Sequence, residues 1–212
     1  MFKKSKTPFV IVLTILIGFG SFMSCKKDEV TPPEVEPPVL MSTPLYDTLG
    51  WFIQGGDPSM AIEGQGTKSI SDPDNSGQMI QAGRLAIRKV VEGSLQIIAG
   101  DTVLAKYFPT LLNEVGNGNT TGFAQLLESF TDFTQQAVSG QMVYQGKSMA
   151  DAHNNMTYSR FGSANQQFVT DNADFDKFVG DIVLAAQGLN VPNSVIGQLG
   201  VILYSTENDI VQ

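Results

Sequence analysis

The chain has 212 residues, 42% of them hydrophobic, enough for one domain with a leader and a tail. Its net charge of −8 and isoelectric point of about 4.5 argue against a nucleic-acid partner, which needs basic patches to displace counterions. With a single cysteine, Cys25, it can build neither an internal disulfide framework nor a thiolate metal cluster.

Residues 1–25 read as an export signal. Lys3, Lys4 and Lys6 form a basic start, Phe9 to Ile17 is an apolar run with one Thr, and Gly18 to Ser24 is small and apolar. The apolar part falls short of the roughly 20 residues that a comfortable membrane span needs. Phe22-Met-Ser-Cys25 resembles a bacterial lipobox, with Phe22 where Leu is usual. That resemblance implies that residues 1–24 are removed as a signal peptide and that Cys25 is lipidated. An uncleaved anchor helix is the alternative. Both readings put the protein on a membrane outside the cytoplasm, at the cell envelope, and several acyl chains on one residue give stable attachment. Cleavage takes away three lysines and no acid, so the charge falls from −8 to −11.

Residues 25–44 follow as a tether. Four of the ten residues from Val30 to Val39 are proline, which favours extended polyproline geometry over helix. Lys26-Lys27-Asp28-Glu29 reads either as a sorting tag or as a solvated charge cluster.

From Leu45 to the end, residues 45–212, the pattern is helical and the expected class is all-α. Ala82 to Ile98 repeats apolar residues at three-and-four spacing through Leu85, Ala86, Val90, Val91 and Leu95. Phe123 to Val138 does the same with Leu126, Leu127, Phe130 and Phe133, and Phe175 to Leu189 with Phe178, Val179 and Ile182. A last helix is expected from Asn193 to about Tyr204, started by Pro192. Two stretches, about 51–80 and 154–172, look like insertions. The first contains the Gly- and Asp-rich loop Gly55 to Gly77; the second is polar, with Tyr158, Phe161 and Phe168 scattered through it. Asp72-Pro-Asp-Asn-Ser-Gly77 matches a calcium loop only loosely and reads as a solvated loop.

The only histidine is His153, so a metal held through nitrogen has one candidate ligand. It closes the segment Tyr144-Gln-Gly-Lys-Ser-Met-Ala-Asp-Ala-His153, with Met149 four residues before it on the same helical face. On side-chain chemistry alone a lone His is more often a surface or structural residue. The same holds for the aromatic stripe Phe123 to Val138, whose default is core packing, and for Met149, a gap-filler. No P-loop, nucleophile elbow, dinucleotide fingerprint or His-based zinc motif is present.

Leu45-Tyr-Asp-Thr-Leu-Gly50 resembles the opening "LYDKLGG" of the group I truncated haemoglobins. The His153 segment is similar to their "YTGRSMREAH", whose last residue is the proximal haem ligand. Val90-Val-Glu and Asp101-Thr-Val-Leu-Ala-Lys-Tyr-Phe108 are similar to "VVDDFY" and "DPRLAPFF", and Asp209-Ile-Val211 to the ending "DIV". The resemblance spans Leu45 to the end, interrupted by the insertions and by a longer connection between Phe108 and Phe123. It implies a two-over-two helical sandwich holding haem b, with His153 on the iron. Phe108, Met149 and Tyr144 would lie against the porphyrin, and Leu95, Leu126, Phe130 and Phe133 on the distal side. The orienting partner of His153 would be a backbone carbonyl, since Nδ1–H needs an acceptor.

The departures matter. Where the family usually has a Phe-Tyr pair, this chain has Ser94 and Leu95, and where many members have Gln it has Phe130. Leu95, Leu126, Phe130 and Phe133 donate no hydrogen bond; Ser94 is a candidate substitute donor, whose hydroxyl the sequence cannot aim. The resemblance therefore implies a haem protein that binds diatomic gases (O2, NO, CO), with enzyme activity open. A nitric oxide dioxygenase or peroxidase-like enzyme is one alternative, although no distal acid–base residue is present. A haem-free globin scaffold serving as an envelope lipoprotein is the other.

Overall fold

Thr43 and Pro44 open the first helix. The Thr43 hydroxyl accepts the Tyr46 amide at 3.1 Å and donates to the Val138 carbonyl at 2.6 Å, so one side chain caps the helix and ties it to a distant one. The structure, a computed structural model, describes residues 41–60, 62–154 and 169–212. These belong to one unit, Val39–Gln212. The leader, Cys25 and the tether as far as residue 40 lie outside the described residues, as do Tyr158, Phe161 and Phe168. No described helix is long and apolar enough to cross a membrane.

Helix α1 runs Pro44–Ile53 and continues past the point where the sequence suggested an insertion. Strands β1 (Ser69–Ser71) and β2 (Met79–Gln81) form an antiparallel ribbon with Ile70 opposite Ile80. The loop expected from Gly55 to Gly77 therefore contains the first arm of a ribbon. Three residues per strand are too few for a period-two pattern to register. Asp72 turns the ribbon: its side chain accepts the Asp74 amide at 2.9 Å and the Asn75 amide at 3.0 Å. It is buried, not solvated as the sequence reading had it, because Arg88 reaches across to hold it.

Helix α2 (Ala82–Gly100) is the central element, packed against α1, the later helix α4 (Thr121–Ser139) and helix α6 (Asn172–Gly188). Its apolar stripe is the buried one anticipated: Leu85, Ala86, Val90, Val91, Leu95 and Ile98 all lie in the core. Gly83 lets α2 approach α1 closely; a Cβ there would lie 2.4 Å from Tyr46 Cε2. Tyr46 is wholly buried, and its hydroxyl donates to Gln81 Oε1 at 2.7 Å.

After a short 3-10 turn, Ala105–Tyr107, the supposed connection between Phe108 and Phe123 contains a further helix, α3 (Pro109–Gly116), opened by its proline. Helix α4 ends at Gly140, which takes the left-handed conformation at φ 77° while its amide closes on the Gln136 carbonyl at 2.9 Å. The five-residue helix α5 is Met149–His153. Helix α7 (Asn193–Tyr204) begins after Pro192 as expected, and α8 is Glu207–Ile210. The main core joins Leu45, Tyr46 and Leu49 of α1 to Leu95 of α2, Ile182 of α6 and Leu199 of α7.

Candidate functional site

Ser148 starts the helix that carries His153. Its hydroxyl accepts the Asp151 amide at 3.1 Å and donates to the Asp151 carboxylate at 2.8 Å. A helix of five residues is too short to persist on its own, so its position comes from what it packs on. Met149 packs against Phe175, Val179 and Ile210. The Gln212 side-chain amide donates to the His153 carbonyl.

The His153 ring is half-buried, with Nδ1 3.0 Å from the Met149 carbonyl oxygen. That carbonyl can only accept, so the proton sits on Nδ1 and the Nε2 lone pair faces away from it. Nε2 makes no hydrogen bond among the described residues. Burial lowers the pKa below the ordinary histidine value, partly offset by the bond to Met149. The result is a neutral, oriented imidazole with an available nitrogen, the state in which histidine binds a metal.

The apolar wall is α4, and it is turned in an informative way. Its fully buried positions are Thr131, Gln135, Val138 and Ser139, whereas Phe123, Leu126, Leu127, Phe130 and Phe133 are only half-buried. Polar contacts set this rotation. Arg84 Nη1 donates to Gln135 Oε1 at 2.6 Å and to Asp132 Oδ1 at 2.7 Å. Gln135 Nε2 in turn donates to Gln141 Oε1 at 2.9 Å.

Of the expected residues, Leu95, Leu126 and Phe130 meet in one cluster, while Phe108, Met149 and the Phe133–Tyr144 pair belong to others. Leu126 and Phe130 rest on the core cluster that contains Leu95. Phe130 stacks on Phe178 of α6, with ring centres 5.9 Å apart. Phe178 also touches the cluster of Ile98, Leu104 and Tyr107 that Phe108 packs on, and the cluster that Met149 packs on. Phe133 and Tyr144 form a separate edge-to-face pair at 5.5 Å. Phe178 thus links three apolar clusters. Its place in the α6 stripe was legible, but periodicity cannot show that the ring bridges three clusters. Gln212 carries no signal in the sequence at all.

Ser94 does not replace the missing distal donor. It is fully buried, and its hydroxyl donates to the Val91 carbonyl at 2.8 Å, within its own helix.

Among the described residues no group of three His, Cys, Asp or Glu side chains could hold a metal ion. A porphyrin would bring the other nitrogen ligands of its iron, so that His153 alone could serve as the protein's ligand. The donor chemistry fits such a group: a neutral imidazole whose Nδ1 is held by the Met149 carbonyl, on a short helix whose Met149 packs on an apolar cluster. A polar cavity of about 470 Å³ lies elsewhere, between the ribbon, α2 and α4, and an apolar one of about 200 Å³ lies between α1, α2 and Leu189. His153 lines neither. In the polar cavity Arg84 and Arg88 are matched by Asp72, Glu128 and Asp132.

No family model and no curated protein matches the chain. Among solved structures, the helical fold is similar to two variants of truncated haemoglobin from Tetrahymena pyriformis in the Fe(III) form. Each is 21% identical, with a TM-score of 0.45, over 59% of this chain and 89% of the other.

Proposed function

We propose that the chain is a haem b protein in which His153 Nε2 ligates the iron and the opposite face takes diatomic gases. The single observation that carries this is the imidazole itself, oriented by the Met149 carbonyl with its second nitrogen unbonded among the described residues. Haem b, when bound, supplies an iron with one position for O2, NO or CO. The protein's part is to hold the proton on His153 Nδ1, to keep the ring in place and to exclude water with apolar side chains. A gas ligand beside Leu95, Leu126 and Phe130 meets no hydrogen-bond donor from them. Bound O2 carries partial negative charge and loses more by this than CO does, so the site favours CO and NO.

The cell-envelope location is part of the same proposal. It rests on the leader and on Phe22-Met-Ser-Cys25, with Cys25 acylated and the proline-rich tether holding the domain off a lipid surface.

Titration of the purified protein with hemin tests the haem reading. The expected result is a red protein with a Soret band that His153→Ala weakens or shifts. A preparation that stays colourless, or one that His153→Ala leaves unchanged, overturns it and favours the haem-free scaffold.

A further inference from the structure

We infer that Gln212 is a positioning residue for His153, acting through the main-chain carbonyl of His153 and tying the ligand helix to the start of α6. This rests on His153 being the haem ligand. Four observations converge on it. The five-residue helix α5 needs external support. It packs on α8, and Met149 lies against the cluster that contains Ile210 and that Val211 also covers. The Gln212 side chain donates to the His153 carbonyl, the last carbonyl of that helix. The Gln212 main-chain amide donates to the Thr170 carbonyl at 3.0 Å, and Asn172 Nδ2 donates to Glu207 Oε1 at 2.8 Å. The segment 207–212 is therefore fastened to the entry of α6 on one side and to the end of α5 on the other.

The mechanical consequence follows from the length of the helix. The Met149 carbonyl that orients the imidazole lies one turn from the His153 carbonyl that Gln212 holds. If the end of α5 frays, the acceptor for Nδ1–H moves with it. Gln212 thus stabilises the ring orientation without touching the ring, and its exposed position leaves the core out of the matter.

Three variants of the full chain decide it: Gln212→Ala removes the donor, Gln212→Glu keeps the size without a donor, and Gln212→Lys keeps a donor. The first readout is hydrogen exchange in haem-free protein at the Ala152 amide, which donates to the Ser148 carbonyl at 2.8 Å. Gln212→Ala and Gln212→Glu are expected to speed it about five- to tenfold. Gln212→Lys stays near wild type, and amides in α2 do not change. The second readout is haem transfer to an apoglobin acceptor, faster by a similar factor in the same two variants. Unchanged exchange in Gln212→Ala overturns the inference, as does equal acceleration in Gln212→Lys. A wild type that takes no haem while the exchange pattern holds ends the haem reading and leaves the clamp standing.

Discussion

Arg88 and Asp72 meet end on, with Nη1 donating to Oδ2 at 2.9 Å and Nη2 to Oδ1 at 2.5 Å. This forked pair fastens the ribbon to the central helix. The Arg88 hydrogen bonds hold the Asp72 carboxyl well below the usual carboxylate range, against the burial that would raise it. A carboxyl depressed in the folded state contributes stability above its unfolded value, near pH 4, and loses it as pH falls toward the folded value. Asp72→Asn is expected to cost about 2 kcal/mol at pH 7, because it leaves the buried guanidinium with the more exposed Asp74 carboxylate as its remaining charged partner. Urea unfolding of both proteins across pH 2 to 7 checks this, and the gap should close in acid. A gap independent of pH contradicts the assignment.

Two helical glycines should answer alanine with opposite signs. Gly180 of α6 has open space around it, so Gly180→Ala stabilises by about 1 kcal/mol through helix propensity. A Cβ on Gly83 would lie 2.4 Å from Cε2 of the buried Tyr46 ring, so Gly83→Ala destabilises by about 1–3 kcal/mol. Thermal melts of both variants are sufficient, and a stabilised Gly83→Ala would show that α1 and α2 are spaced more widely.

On the gas-binding side, haem-loaded protein is expected to release O2 quickly. Leu126→Gln introduces a side-chain donor on the side that Phe130 occupies and should slow release by about tenfold. Ser94→Ala should leave the rate as it is, since that hydroxyl is already given to Val91. Stopped-flow displacement of O2 by CO measures all three, and slow release from the wild type would reveal a donor elsewhere.

Phe178 bears on three apolar clusters, whereas Phe133 pairs among the described residues with one aromatic ring, that of Tyr144. Phe178→Ala should therefore cost about 3 kcal/mol, clearly more than Phe133→Ala. Equal losses by denaturant unfolding would mean that Phe178 is not the bridge described.

Long periodic segments were legible because each writes its own buried face: α2, α6 and α7 lie where their stripes place them. His153 was legible as the only candidate of its type, and its carbonyl partner followed from the needs of an imidazole N–H. Short elements were not legible. The ribbon has three residues a side, and α3 was read as a connection because Pro109 opens only eight residues of helix. Asp72 looked like a surface residue because its partner, Arg88, is remote in sequence. Phe133 shares a stripe with Phe130 yet pairs with Tyr144, a choice that depends on how the helix is rotated. That rotation is set by Arg84, Gln135 and Gln141, polar residues that a hydrophobic pattern does not weigh.

The half-covered phenyl rings along α4 have a colloidal consequence. If the proposed haem covers them, dilute protein without it is expected to clump sooner than loaded protein, and the moment of capture would then bear on how the chain stays dispersed.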